Sequence, residues 1–322
     1  MHYGSPIPIT AFPDFDAVKD YVQTLEGEGF DFTSTSGHVL AQPSGTNPQR
    51  PDRQYVGPFY DPMVTFAYLA GLTRRIHFIT GILILPAWPA ALAAKQSAEL
   101  AILSRGRFEL GIGISWNAAE YRALGQDIHG RGKRIEEQIA VLRRLWSEPY
   151  VTFEGRYHTL DKVGLNRLAI PPIPIWMGSE SGEKALRRVA RSADGWMSLG
   201  DPLPDIPRLQ QYMREAGRDP STLKVRGPLV VDGDLKGTIE RGRKLAAGGV
   251  SHINIVAPPD RDPQAALPTI VATRKALVEA LADAHGGCSR ELEARKSCAG
   301  SNPAAGTKPT ERSQGTLDNV RG

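Results

Sequence analysis

The chain of 322 residues has only two cysteines, Cys288 and Cys298, and both stand near its C-terminal end. The rest of the chain therefore has no thiol for a disulfide, a zinc site or a nucleophile, which fits a reducing, cytoplasmic setting. Long uncharged apolar runs are also missing. The opening Met1-His2-Tyr3-Gly4-Ser5-Pro6 has neither a charged nor an apolar leader region, so no membrane association is expected. Charge of one sign is not in large excess: Lys and Arg number 39 against 35 Asp and Glu, for a net charge of +4. The segment from Gly287 onward, with six basic and four acidic residues, supplies half of that excess. The remainder is nearly neutral and offers no basic face for nucleic acid. Acidic and histidine clusters of metal-binding spacing are absent too. Only Asp194 and Asp232 approach the strand ends, so no metal is expected and a hydrolase or isomerase is the weaker alternative.

What the chain does have is alternation. Eight apolar, β-rich runs stand at about Pro6–Thr10, Gly29–Ser34, Ile76–Leu85, Arg107–Ser115, Ile173–Gly178, Gly195–Leu199, Lys224–Val231 and Val250–Val256, separated by helical patterns. Strand and helix in alternation imply a parallel sheet, and eight units imply closure into an α/β (β/α)8 TIM barrel. Asp61-Pro62 predicts a helix start, with Met63, Phe66, Ala67 and Ala70 on one face. Pro89 opens an alanine-rich helix, and Ile135, Ile139, Leu142 and Trp146 mark another in the outer ring. Two insertions interrupt the pattern. His38 to Phe59 is polar and rich in Pro and Gly, as a loop at the barrel mouth would be, and Tyr150 to Pro172 holds a small hairpin across Glu154-Gly155. The expected organisation is one barrel domain over 1–286 and a disordered, low-complexity tail over 287–322. The first strand begins so near Met1 that a slightly truncated start stays an open reading.

The run Gly106-Arg107-Phe108-Glu109-Leu110-Gly111-Ile112-Gly113-Ile114-Ser115-Trp116-Asn117 reads as a buried strand opening into a site, with Gly111 and Gly113 letting another group approach the backbone. A dinucleotide fingerprint fails here, because Trp116 stands where the third glycine is needed. Gly178-Ser179-Glu180-Ser181-Gly182 joins a strand to a helix, and its free amides and serine hydroxyls suit a phosphate, with an ordinary serine-capped turn as the equal alternative. His38 alone among the histidines follows a β-run directly at a strand's carboxyl end, where barrel enzymes gather catalytic groups.

Four segments in order resemble the bacterial-luciferase-like family of flavin- and deazaflavin-dependent oxidoreductases. They are Glu28-Gly29-Phe30-Asp31-Phe32 to Gly37-His38-Val39-Leu40; Thr80-Gly81-Ile82-Leu83-Ile84-Leu85-Pro86 with Ala94-Lys95-Gln96; Leu103-Ser104-Arg105-Gly106-Arg107-Phe108 through Glu120-Tyr121 and Leu124-Gly125; and Pro174-Ile175-Trp176-Met177-Gly178-Ser179 with Ala193-Asp194-Gly195-Trp196. The resemblance implies a ring cofactor across the barrel mouth, coenzyme F420 or, as the alternative, FMN. It puts a non-prolyl cis bond at Gly81-Ile82 against the ring, the phosphate at Gly178, Ser179 and Ser181, and Ser115 and Asn117 against the cofactor. For Asn117, a loop-capping role stays open. His38 becomes the proton donor or hydrogen-bond partner beside the hydride-transfer centre, and the resemblance is to the F420 branch. Trp116 stands where sugar-phosphate-oxidising members carry a glutamate, which argues against that activity and for an apolar substrate surface. The expected function is hydride transfer between a deazaflavin and a small organic substrate, in a protein that pairs as a homodimer. The alternatives are an FMN-dependent monooxygenase using oxygen, and a flavin-binding barrel without turnover.

Overall fold

A computed structural model of the chain describes residues 1–8, 12, 14–43, 45, 60–168, 172–258 and 262–298, without the side chains of 263 and 283–298. Ten strands appear among these residues: β1 (His2–Pro6), β2 (Phe32–Gly37), β3 (His77–Leu83), β4 (Phe108–Ile112), β5 (Val151–Glu154), β6 (Thr159–Val163), β7 (Ile175–Ser179), β8 (Gly195–Ser198), β9 (Lys224–Val230) and β10 (His252–Val256). Eight of them close in the order β1-β2-β3-β4-β7-β8-β9-β10, each pair parallel, and β5 and β6 form a separate antiparallel hairpin. The helices are α1 (Phe15–Gly27), α2 (Pro62–Leu72), α3 (Ala90–Leu103), α4 (Ala118–Ala123), α5 (Arg131–Ser147), α6 (Glu183–Ser192), α7 (Ile206–Glu215), α8 (Leu235–Ala247) and α9 (Pro263–Cys298). This is the (β/α)8 barrel that the alternation predicts.

The chain divides into two compact units, Met1–Val278 and Glu279–Gly322. The first holds the whole barrel. Of the tail expected to be disordered, 287–322, residues 287–298 are described as the end of helix α9, and 299–322 lie outside the described residues. Most of the expected mouth loop, 44 and 46–59, lies outside them as well.

Local chemistry explains where the elements begin. Asp61 caps α2 by accepting from the Val64 amide at 2.9 Å, with Pro62 in the first turn. The hairpin hangs on Glu137 of α5, whose carboxylate accepts from the Arg156 and Tyr157 amides at 2.9 and 2.8 Å and faces His158 Nδ1 at 2.8 Å. Gly111 is required by close approach: its amide donates to Thr80 Oγ1 at 2.8 Å, its carbonyl accepts from the same hydroxyl at 2.6 Å, and a Cβ there would lie 1.8 Å from the Thr80 carbonyl.

The first strand is displaced from its expected position. Pro6–Thr10 was the apolar run, yet β1 is His2–Pro6, and 9–11 lie outside the described residues. The polar and small residues of this strand are chosen by contact: a Cβ on Gly4 would strike the Phe32 ring, and Ser5 Oγ donates to the Ile255 carbonyl at 2.9 Å. The second strand also sits later than Gly29–Ser34. Its Thr-Ser-Thr-Ser run extends to Gly37, which makes His38 the first residue beyond the strand.

The amino-terminal floor of the barrel carries a buried polar layer. Trp176 Nε1 donates to Glu109 Oε2 at 2.6 Å and His77 Nδ1 faces Glu109 Oε1 at 3.2 Å. His252 stacks on His2 with ring centroids 4.6 Å apart and meets the Trp176 ring edge-on at 4.7 Å. Burial, reinforced by His2, Lys224 and Arg226, pushes the His252 imidazole down to about 3, although Glu109 pulls the other way. Below its ordinary value near 6.5, the unfolded chain takes up this proton and the folded chain does not, so stability falls as the pH drops from 6.5 towards 3. At pH 5 the loss from this one residue is about 2 kcal/mol. Thermal melts at pH 7 and pH 5 are expected to show a smaller drop in Tm for His252→Gln than for the parent; equal drops would remove His252 as the cause.

Candidate active site

The carboxyl end of the barrel assembles the candidate site, and its organiser is a buried carboxylate. Asn117 is the N-cap of α4, its Oδ1 accepting from the Ala119 and Glu120 amides at 3.0 and 3.3 Å. That cap holds the turn and aims the first-turn residue Glu120, 1% exposed, at the chain leaving β2. Glu120 Oε2 lies 2.8 Å from His38 Nδ1, and Oε1 accepts from the amides of Val39 at 2.5 Å and Leu40 at 3.3 Å. A carboxylate facing Nδ1 favours the proton on that nitrogen and fixes the ring. The Trp116 ring stands 6.3 Å from the His38 ring, centroid to centroid, at 51°. Asn117 takes the capping role left open in the sequence. The partner of Glu120, 82 residues distant in sequence, is His38.

Beside this pair lies the floor of the mouth. The Gly81-Ile82 peptide bond is cis, as the resemblance implies. The Ile82 side chain crosses two neighbouring strands at glycines: a Cβ on Gly113 would lie 2.8 Å from Ile82 Cδ1, and one on Gly178 would lie 2.6 Å from Ile82 Cγ2. Ile82 also packs against the core cluster of Phe32, Ile79, Trp176 and Met197. The expected close approach at Gly111 and Gly113 is therefore real, and the approaching groups are the Thr80 backbone and the Ile82 side chain.

The third part is the turn from β7 into α6. Ser179 Oγ accepts from Trp196 Nε1 at 3.0 Å, and Ser181 is exposed. The N-cap of α6 is Gly182, with no side-chain cap, so neither serine caps the helix among the described residues. Ser115 adopts a positive φ of 48°, its carbonyl accepting from Arg131 Nε at 3.3 Å. His38, Gly81-Ile82, Ser115-Trp116-Asn117 and Gly178–Ser181 thus follow or end four strands adjacent in the ring, β2, β3, β4 and β7, all at the same end.

With the fold and this rim in view, the family model for luciferase-like monooxygenases matches residues 1–232. The chain belongs to that family. It is 34% identical over 220 residues to an uncharacterized protein of Mycobacterium tuberculosis (strain ATCC 25618 / H37Rv), covering 65% of this chain and 75% of that one. It is 29% identical over 250 residues to the F420-dependent hydroxymycolic acid dehydrogenase of the same organism, covering 75% of this chain and 66% of the relative. An FMNH(2)-dependent dimethylsulfone monooxygenase of Pseudomonas fluorescens (strain Pf0-1) is 29% identical over 185 residues, with 56% and 47% covered. Among solved structures, an F420-dependent secondary alcohol dehydrogenase in complex with an F420-acetone adduct superposes with a TM-score of 0.72 at 18% identity, over 87% of this chain and 98% of that one. As a luciferase-like oxidoreductase, the protein belongs with enzymes whose relatives use a deazaflavin or a flavin. No described helix is long and apolar enough to cross a membrane.

Proposed function

We propose that the protein is an F420-dependent oxidoreductase that passes hydride between the deazaflavin and a small organic substrate, in the cytoplasm. The observation that carries this reading is the His38–Glu120 pair beside Trp116 at the strand ends, next to the Gly81-Ile82 floor. The residues present fit such a cofactor: an apolar floor formed by Ile82 over two glycines accepts a flat ring, and the first-turn amides of α6 with Ser179 and Ser181 suit its phosphate. When bound, the deazaflavin supplies the carbon that takes or gives the hydride. The protein supplies the proton chemistry. A substrate carbinol that loses hydride must also release its hydroxyl proton; His38 Nε2 takes it while Nδ1 stays bonded to Glu120, and in the reverse direction His38 returns it to the carbonyl oxygen. Trp116 holds an apolar part of the substrate and keeps water out. The likeness to an F420-dependent dehydrogenase and to an F420-dependent alcohol dehydrogenase fold supports this reading.

The FMN reading, in which reduced flavin activates oxygen, is favoured by the dimethylsulfone monooxygenase likeness. Fluorescence and absorbance titration of the purified protein with F420 and with FMN separates the two. Tight F420 binding with hydride transfer supports the proposal, and FMN binding alone with oxygen consumption replaces it. Binding of neither ring overturns both.

We also propose a homodimer. The exposed apolar stripe Val64, Tyr68 and Leu72, at successive turns of α2, is the face that a second copy would cover. Sedimentation is expected to show a dimer that Tyr68→Glu shifts to monomer.

A further inference from the structure

A charged side chain lies inside the barrel beneath the floor, and the chemistry above leaves it without a task. Arg226, on β9, is 8% exposed and faces the interior. Its Nη2 donates to Ser34 Oγ at 2.7 Å, Nη1 meets Met197 Sδ at 3.2 Å, and its guanidinium carbon lies 5.3 Å from the Phe32 ring centroid. Neither hydrogen-bond partner is a carboxylate. The nearby buried acid, Glu109, spends its two oxygens on Trp176 and His77. Burial draws the guanidinium down to about 10, which leaves it charged at neutral pH. A guanidinium carries five donors and is costly to bury; Glu109 favours its charge from a distance, while the groups that touch it are a hydroxyl, a thioether and an aromatic face.

Its position explains it. Ser34, the residue that Arg226 grips, stands directly against the floor: a Cβ on Gly81 would lie 3.4 Å from Ser34 Cβ and 3.5 Å from Ser34 Oγ. The positive charge is therefore one hydroxyl away from the backbone of Gly81-Ile82, inside a lumen walled by Phe32, Ile79, Trp176 and Met197. Reduced flavins and deazaflavins carry negative charge on the pyrimidine side of the ring near neutral pH, and charge placed near the ring is a principal means of tuning such cofactors.

Resting on the functional reading above, we propose that Arg226 is a positioning residue for charge: fixed by Ser34 under the floor, it selectively stabilises the reduced, anionic form of the ring cofactor. Glu109 supplies one balancing negative charge at a distance, and the reduced ring supplies a second. Acting through a partly polar interior, one unit charge changes the affinity of an anion by about tenfold.

The test uses the full-length protein, anaerobically, with F420 and FMN each supplied in oxidised and reduced form, and the dissociation constants read by fluorescence and absorbance. Arg226→Met is expected to weaken binding of the reduced ring about tenfold while binding of the oxidised ring stays within about twofold. Arg226→Lys is expected to restore most of the difference, and the midpoint potential of the bound ring should fall in Arg226→Met and recover in Arg226→Lys. If Arg226→Met does not fold, Ser34→Ala carries the same test with a smaller shift in the same direction. Equal losses for both redox states, or none, overturn the inference and leave the functional reading standing. Binding of neither ring by the parent protein overturns that reading and this inference with it.

Discussion

His38→Ala is expected to lower turnover by about 10²–10⁴-fold, the range for removing a positioned acid or base, while affinity for the ring cofactor stays within about threefold. Separation of these two effects is the signature. His38 sits past β2 with its Nδ1 on Glu120, and the proposed ring rests on β3, so loss of the imidazole removes the proton exchanger without removing the floor. Glu120→Gln keeps the size of the side chain and an oxygen for the Val39 and Leu40 amides but offers no negative charge to the imidazole. It is expected to lower kcat by about 10–100-fold, the usual cost of disturbing the group that orients a working histidine. Steady-state kinetics with the accepted cofactor, alongside binding titrations, measure both variants. A His38→Ala protein that turns over at the parental rate would remove His38 from the chemistry.

The second large effect concerns the frame. Arg107→Met is expected to lower the free energy of unfolding by about 3–5 kcal/mol, read as a fall in the urea midpoint at unchanged slope. Arg107 is 7% exposed and spans three chain segments. Its Nε donates to the Ser104 carbonyl at 2.8 Å; Nη1 donates to Thr73 Oγ1 at 3.0 Å and the Ile76 carbonyl at 2.8 Å; Nη2 donates to the carbonyls of Ala70 at 2.9 Å and Thr73 at 3.3 Å. Ala70 lies in the last turn of α2, Thr73 is its C-cap and Ser104 is the C-cap of α3, so one guanidinium serves acceptors at two helix ends. Methionine fills similar volume but leaves those carbonyls buried without donors. A change below about 1 kcal/mol would mean that water replaces the guanidinium.

Much of this architecture is written in periodicity. The apolar runs that became β3, β4 and β7 to β10 were visible because both of their faces are buried, and the Asp61-Pro62 helix start was visible because capping chemistry is local. The first strand was misplaced because its fitness lies in what it lacks: Gly4 is there for the Phe32 ring, and no window of sequence reports a contact with a residue 28 positions away. The rim was legible in parts. His38, the Gly81-Ile82 bond and the Gly178 turn each carried a local mark, whereas the pairing of His38 with Glu120 joins two loops that only barrel closure brings together. Asn117 three residues before Glu120 was the available signal, since a capped turn fixes where the first-turn carboxylate points. Arg226 had no mark at all, because a basic residue in a strand reads as solvent-facing until the parity of β9 is known.

The floor of the mouth is made by omission. Two strands leave out a side chain, at Gly113 and Gly178, and one branched residue, Ile82, spreads into the room they vacate. The height of this platform is consequently a one-residue variable: trimming or lengthening that single side chain would lower or raise it by a methyl group.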